Sequence, residues 1–377
     1  MHIPFNRAPQ LGTELSAISE ALGGSRLSGD GVFGRKCQKW FEEYLGSAKA
    51  LLTPSCTAAL EMAALLLGVK PGDEIILPSY TFVSTANAFA LRGATLVFVD
   101  VHPDTLNLDA DLVEAAVTRR TKAIVPVHYA GVGCDMAAIN SIAQKYGLFV
   151  IEDAAQGLMA TMHDQPLGSF GHLAAFSFHE TKNITSGGEG GLLVVNDPQF
   201  LEQAEIIREK GTNRSKFFRG VVDKYNWVDV GSSYLPSELQ AAYLWAQLQG
   251  LKVITQDRIE TWNWYYDRLK PLQKREKIVL PIVPDACVHN GHMFFIRTKT
   301  LEDRTALLSY LNERGVNAVF HYLPLHSSDP GEKFGRFHGI DNYTTKESER
   351  LIRLPLWFGM TNKMKEKVVD SLLQYYC

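Results

Sequence analysis

A chain of 377 residues has room for two domains, one large and one small, and a composition 46% hydrophobic and 21% charged is that of an ordinary soluble globular protein. A formal net charge of −3 gives no general attraction to nucleic acid or to an anionic membrane, so partners have to be read from sites. Five scattered cysteines (Cys37, Cys56, Cys134, Cys287, Cys377) contain no C-x-x-C pair and cannot form a complete disulfide set, which fits a reducing cytoplasm.

The N-terminal residues lack the apolar core of a signal peptide, and the richest apolar run, 58–67, is broken by Glu61 and too short to span a bilayer. Residues 10–23 and 33–45 read as amphipathic helices split by Ser28-Gly-Asp-Gly31. In the second, Phe33, Cys37, Trp40, Phe41 and Tyr44 recur at the helical spacing that core packing requires. The stretch from Thr53 to Gly68 opens with hydroxyl residues, continues with strong helix formers and ends in a glycine suited to a C-cap. Unpaired N–H groups gather at such a helix start, so Ser55 and Thr57 either cap the helix in the ordinary way or hold a phosphate there.

From Pro71 to Asp153, short apolar runs (74–77, 95–99, 123–127, 148–151) alternate with helix-like segments (83–92, 109–119, 135–146). Successive βαβ units give this pattern, hence a parallel sheet buried under helices on both faces. Asp153 falls just past the last of these strands, with Gln156 three residues on. A carboxylate at that edge either caps the next helix or meets a cationic ligand nitrogen, because open α/β sheets bind ligands beyond the carboxyl ends of their strands.

Two β-prone runs, 174–178 and 192–195, flank a loop that carries Lys182 and ends in Gly187-Gly-Glu-Gly-Gly191. Lys182 is either a solvated lysine at a hairpin tip or an amine held in a partly desolvated cleft, where its pKa falls and it can form a Schiff base with a carbonyl cofactor. Residues 211–236 have no clean periodicity and mix Arg214, Lys216, Arg219 and Lys224 with aromatics. They predict a long ordered loop whose cations either meet a phosphorylated ligand or are simply solvated.

A helical region, 237–272, follows, with a break near Gly250. Beyond it comes a second α/β unit with strands at 278–280, 293–297 and 318–322 and helices at 304–314 and 361–375. The chain therefore divides into a large domain, 1–250, and a small one, 251–377. His321 and His326 lie on strand–turn geometry that does not aim both at one ion, and no nearby carboxylate or cysteine completes a set, so no metal is expected.

Thr57, Asp153, Ser177 and Lys182 form one coherent set. Pyridoxal 5′-phosphate needs an amine for its aldehyde, a carboxylate for its pyridine nitrogen and donors for its phosphate. Phe82, after another strand, suits a cover for one face of the ring.

At these residues the chain resembles the DegT/DnrJ/EryC1/StrS sugar-nucleotide aminotransferases. The resemblance runs from about Pro4 to the C-terminus and rests on Glu152-Asp-Ala-Ala-Gln156, Ser177-Phe-His-Glu-Thr-Lys182 and Gly187-Gly-Glu-Gly-Gly191. It implies a type I, aspartate aminotransferase-like α/β fold, with a mostly parallel sheet in the large domain and a smaller C-terminal α/β domain. It also implies pyridoxal 5′-phosphate, with Lys182 as the Schiff-base lysine, Asp153 at the pyridine nitrogen, Gln156 at the phenolic oxygen, Phe82 stacked on the ring, and Thr57, Ala58 and Ser177 on the phosphate.

Lys210-Gly-Thr-Asn-Arg-Ser215, the segment 223–234 and Phe320-His-Tyr-Leu-Pro-Leu-His326 are similar to the enterobacterial branch of the family, which aminates a dTDP-linked keto-sugar. That similarity implies a dTDP-keto-sugar acceptor, L-glutamate as donor and a homodimer with shared active sites. Many relatives carry Asn where this chain has Ser233, in a segment that reaches the neighbouring subunit's cofactor phosphate; Ser233 is shorter. Arg219 and Lys224 are the expected contacts of the diphosphate, with the sugar near His321 and His326. Two relatives of other function fit less well: in the family's dehydratases histidine replaces the lysine, and a regulator would need a helix-turn-helix that residues 1–50 lack.

Overall fold

The computed structural model describes residues 1–377. Thirteen strands form three sheets: β1 (Lys49–Thr53), β2 (Glu74–Pro78), β3 (Thr95–Val99), β4 (Thr121–Ile124), β5 (Phe149–Asp153), β6 (Thr161–Met162), β7 (Gln165–Pro166), β8 (Leu173–Ser177), β9 (Gly191–Val195), β10 (Cys287–Val288), β11 (Phe294–Arg297), β12 (Gly335–Phe337) and β13 (Leu351–Leu354). The main sheet runs in the order β1-β9-β8-β5-β4-β2-β3-β12. It is parallel from β12 to β8 and antiparallel only where β9 meets β8 and β1.

Alternating side chains leave the sheet on opposite faces. Ile75, Leu77, Leu96, Phe98 and Ile151 join one core cluster, while Ile76, Val97, Val99 and Val150 join another. The near-continuous apolar runs read from the sequence are thus strands covered on both sides.

The covering helices are α1 (Glu14–Gly23), α2 (Val32–Leu45), α3 (Cys56–Leu66), α4 (Val83–Ala90), α5 (Ala110–Ala116), α6 (Met136–Tyr146), α7 (Leu201–Arg208), a short α8 (Arg214–Phe218) and α9 (Glu238–Gln249). Glu238 fastens the N-terminus of α2, its carboxylate accepting from the N–H groups of Gly31, Phe33 and Gly34 at 2.8–3.0 Å. Gly250 separates α9 from the 24-residue α10 (Leu251–Lys274). Then follow α11 (Leu301–Glu313), α12 (Asp329–Phe334), α13 (Thr344–Arg350) and α14 (Asn362–Tyr375). A second core, built from α10, α11, α14, β11 and β13, occupies the C-terminal part.

Several expected boundaries are corrected. Asp153 is the last residue of β5 rather than a residue past its end. No strand forms at 278–280 or 318–322: Val279 makes a single bridge with Arg297, and Val319 one with Arg353. Pro281 and Pro324 follow those positions and cannot donate to a ladder. The partner of β11 is instead β13. α11 begins at Leu301, earlier than expected, because Thr300 caps it by accepting the Asp303 N–H at 3.2 Å. The 211–236 loop contains α8, and β12 returns from the C-terminal part to pair with the large sheet's edge strand β3. No helix is long and apolar enough to cross a membrane.

Candidate active site

The lysine loop is a tight connection between β8 and β9. Phe178 N–H donates to Gly190 O (2.8 Å), Glu180 N–H to Gly188 O (2.9 Å) and Lys182 N–H to His179 O (2.9 Å). Gly187 and Gly188 have φ of 81° and 126°, which side chains rarely adopt, so the turn after Lys182 requires them. Gly191 matters for a second reason. A side chain there would run into the backbone of Ser55 and Cys56, so its absence lets β9 lie against the start of α3.

Register then brings the separated pieces together. Ser177 pairs with Gly191, and Gly191 with Thr53. Ser177 and the first turn of α3 are therefore neighbours across one glycine. Ser55 is a plain N-cap, its hydroxyl accepting the Ala58 N–H at 3.1 Å. Thr57 instead donates to Ser84 Oγ at 2.8 Å, so the first turn of α4 is tied to α3.

Lys182 is half-buried. Burial holds its amine below the ordinary lysine range; the Asp153 carboxylate opposes that shift and the Arg353 guanidinium reinforces it. Asp153, buried at the end of β5, accepts from Thr85 Oγ1 at 2.7 Å and from the Ala155 N–H at 3.1 Å. Phe82, 55% exposed, begins α4 and faces the Tyr322 ring at 6.2 Å. Gln156 Oε1 accepts the Ala130 N–H at 2.7 Å, and its Nε2 donates to Tyr322 Oη at 3.3 Å.

His321 and His326 part company. His321 is buried against Tyr129, with Nδ1 2.9 Å from its hydroxyl, and burial pushes its pKa well down. His326 faces Ser79 Oγ at 2.7 Å and Asp341 at 3.3 Å. The loop cations also differ from expectation. Arg219 is not a free fork: both its Nη atoms donate to Glu205 of α7 at 2.8 Å, while Arg214 and Lys216 pair with Glu209 and Glu202. Lys224 has no acidic partner. Neither Arg219 nor Lys224 bonds to the Lys182 group within this chain. Ser233 is exposed and held by a backbone bridge to Glu209.

Two residues stand out that the sequence reading passed over. Thr85 was signalled only by the spacing Thr81-Phe-Val-Ser-Thr85, which puts two hydroxyls on one face of a helix start; Thr81 Oγ1 lies 2.8 Å from Thr85 Oγ1. Arg353, in β13, had no local signal. It is half-buried, pairs with no carboxylate and leaves Nε buried without a partner, with its guanidinium 4.6 Å from the centre of the Phe5 ring. A desolvated cation without an anion marks a place where a ligand's negative charge is welcome.

The residues present fit pyridoxal 5′-phosphate. They supply a half-buried amine, a carboxylate at a strand's carboxyl end, and first-turn N–H groups of α3, which have no intrahelical partner. Such a site on a mostly parallel sheet flanked by helices defines a type I pyridoxal-phosphate-dependent aminotransferase.

Comparison with known proteins agrees. The family model of the DegT/DnrJ/EryC1/StrS aminotransferases matches residues 11–373. The spore coat polysaccharide biosynthesis protein SpsC of Bacillus subtilis (strain 168) is 33% identical, covering 98% of this chain and 96% of its own. Among solved structures, the aminotransferase TlmJ from Streptoalloteichus hindustanus superposes over 100% of both chains with a TM-score of 0.91 at 28% identity. DesV of S. venezuelae covers 98% of each chain with a TM-score of 0.87 at 30% identity. The chain belongs to the DegT/DnrJ/EryC1/StrS aminotransferase family, and it is a sugar aminotransferase that uses pyridoxal 5′-phosphate.

Proposed function

We propose that the chain moves an amino group from L-glutamate to C4 of dTDP-4-dehydro-6-deoxy-D-glucose, giving dTDP-4-amino-4,6-dideoxy-D-galactose, a precursor of the enterobacterial common antigen. The observation that carries the chemistry is the half-buried Lys182 amine with the Asp153 carboxylate near it. The choice of sugar is supported by the segments 210–215, 223–234 and 320–326, which are similar to the enterobacterial branch of the family.

Bound at this site, pyridoxal 5′-phosphate supplies an aldehyde that exchanges amines and a ring that accepts electron density from the substrate carbon. Lys182 Nζ would hold the cofactor's aldehyde in the resting enzyme and, in each half-reaction, would serve as the proton carrier at the reacting carbon, the donor's α-carbon in the first and C4 of the sugar in the second. Asp153 holds a proton on the ring nitrogen, with Thr85 and the Ala155 N–H fixing its carboxylate. Phe82 covers the ring, and Gln156 Nε2 meets the phenolic oxygen. Thr57, Ser177 and the backbone at Ala58 lie at the phosphate end, with Ser233 of a second copy completing the site in a homodimer. Arg353 pairs with the donor's α-carboxylate, because no carboxylate of the protein occupies it.

NMR of the product formed from dTDP-4-keto-6-deoxyglucose and glutamate tests the reading. An axial amine at C4 is the expected galacto product. A gluco product changes the assigned epimer, and amination at C3 or no amination at all overturns the substrate assignment.

A further inference from the structure

The residue after the lysine is held by a segment of the C-terminal part. Asn183 Nδ2 donates to the Asn290 carbonyl at 2.9 Å. Its Oδ1 lies 3.0 Å from His292 Nδ1. An amide oxygen only accepts, so with the amide oriented by Asn290 the hydrogen sits on His292 Nδ1. Asn290 extends the network: its Nδ2 reaches the carbonyls of Gln156 and Leu158 at 2.7 Å each, and its Oδ1 takes the His292 N–H at 3.0 Å.

Arg258 clamps the same segment from α10. Its Nε donates to Gly291 O at 3.1 Å and its Nη2 to His292 O at 2.6 Å. No carboxylate pairs with this arginine, although it is 1% exposed and burial lowers its pKa to about 10. At neutral pH it remains a cation committed to two carbonyls, an expensive arrangement to keep for loop tethering alone. Asn183, Asn290 and His292 are buried too. Burial holds His292 well below its ordinary range, so it stays a neutral Nδ1–H donor.

We propose that His292 and Asn183 are positioning residues: the segment Asn290–His292, gripped by Arg258, fixes the Lys182 loop and the Gln156 backbone relative to each other. The inference rests on Lys182 being the lysine that bears the cofactor. Its physical content is that one rigid segment holds the chain at both the amine and the residue facing the phenolic oxygen. A displacement of about 1 Å at the reacting amine costs on the order of 10²-fold in rate.

The test uses His292→Leu, which removes the donor to Asn183, and His292→Asn, whose Nδ2 stands about as far from the main chain as Nδ1 does. In the cofactor-free protein, hydrogen exchange of the peptide around residues 182–186 should quicken in His292→Leu and return toward wild type in His292→Asn. In the holoenzyme, the glutamate half-reaction followed by cofactor absorbance should slow about 10²-fold in the first variant and only a few-fold in the second. If His292→Leu does not fold, Asn183→Ala leaves residues 290–292 and Arg258 in place and carries the same expectation. Unchanged loop exchange and unchanged half-reaction overturn the proposal, as does a lowered melting temperature with neither of them altered. Borohydride reduction and peptide mapping of wild type decide the underlying assignment separately: cofactor on another lysine sinks that reading, whereas cofactor on Lys182 beside unaffected variants sinks only this one.

Discussion

Thr85 donates its hydroxyl hydrogen to Asp153 Oδ2 at 2.7 Å, from the first turn of the helix that Phe82 begins. Having spent its hydrogen on the carboxylate, Thr85 accepts from Thr81 at 2.8 Å. One helix start therefore places both the proposed ring cover and the hydrogen bond that aims the proposed pyridine partner. Thr85→Val keeps the shape and deletes that bond. A hydrogen bond to a charged group contributes about 1.5–3 kcal/mol, so the glutamate half-reaction should slow roughly ten- to hundredfold. Asp153→Asn should slow it by further orders of magnitude, since an amide cannot hold the ring nitrogen's proton. If Thr85→Val retains wild-type rates, Asp153 does not depend on this bond.

Arg353 gives a prediction about substrate choice. A guanidinium with a buried unpartnered Nε and no acid in range should be answered by the donor's carboxylate. Arg353→Met should raise the KM for glutamate about ten- to hundredfold, the worth of a charge-assisted pair. Amine transfer from the preloaded enzyme to the keto-sugar should stay within a few-fold. Equal damage to both half-reactions would mean that the residue supports the fold rather than the donor.

How much of this the residues announced depends on whether the signal was local. The parallel units at 71–153 were legible because each strand is apolar on both faces and each helix is amphipathic, and the structure keeps them with shifts of a few residues. The lysine loop was legible because Gly187, Gly188 and Gly191 answer demands of the chain beside them. By contrast, β13 is four residues fused to the end of α13 without a breaker, and β12 is three residues that find β3 across hundreds of positions. Arg353 and Thr85 gain meaning only from partners distant in sequence. The pairing of Arg219 was illegible for the same reason, because the acids that meet three of the loop's cations lie on α7 and its C-cap, where Glu202, Glu205 and Glu209 recur at helical spacing.

Lys182 should burden the cofactor-free protein. Burial lowers its pKa in the folded state below the ordinary 10.5. Between the folded and unfolded values the unfolded chain binds more protons, so unfolding free energy rises with pH across that window. Below it both states are charged and the folded protein carries the whole penalty. Lys182→Met, compared with wild type free of cofactor, should therefore melt higher at neutral pH, and the gap should close as pH approaches 10.5. Equal melting temperatures at pH 7 would show that the amine is solvated and would remove the reason for its enhanced reactivity.

The two loop cations named for the diphosphate are now distinguishable. Arg219 spends both Nη atoms on Glu205 at 2.8 Å, and a phosphate would have to displace that carboxylate first. Lys224 has no such competitor, so we expect it to be the stronger diphosphate contact. Lys224→Ala should weaken the sugar nucleotide by roughly tenfold or more, as loss of a charge-assisted contact of about 1.5–3 kcal/mol implies, while the glutamate half-reaction is unchanged. Arg219→Ala should do less. Glu205→Gln adds a discriminating arm, because it frees the Arg219 fork without removing it. If Arg219 is the clamp, Glu205→Gln tightens sugar-nucleotide binding and Arg219→Ala loosens it more than Lys224→Ala does. Comparing the sugar and glutamate half-reactions by cofactor absorbance in all three variants settles the order. A loss of the glutamate half-reaction as large as that of the sugar half-reaction in both alanine variants would instead make the 211–236 loop scaffolding for the cofactor site.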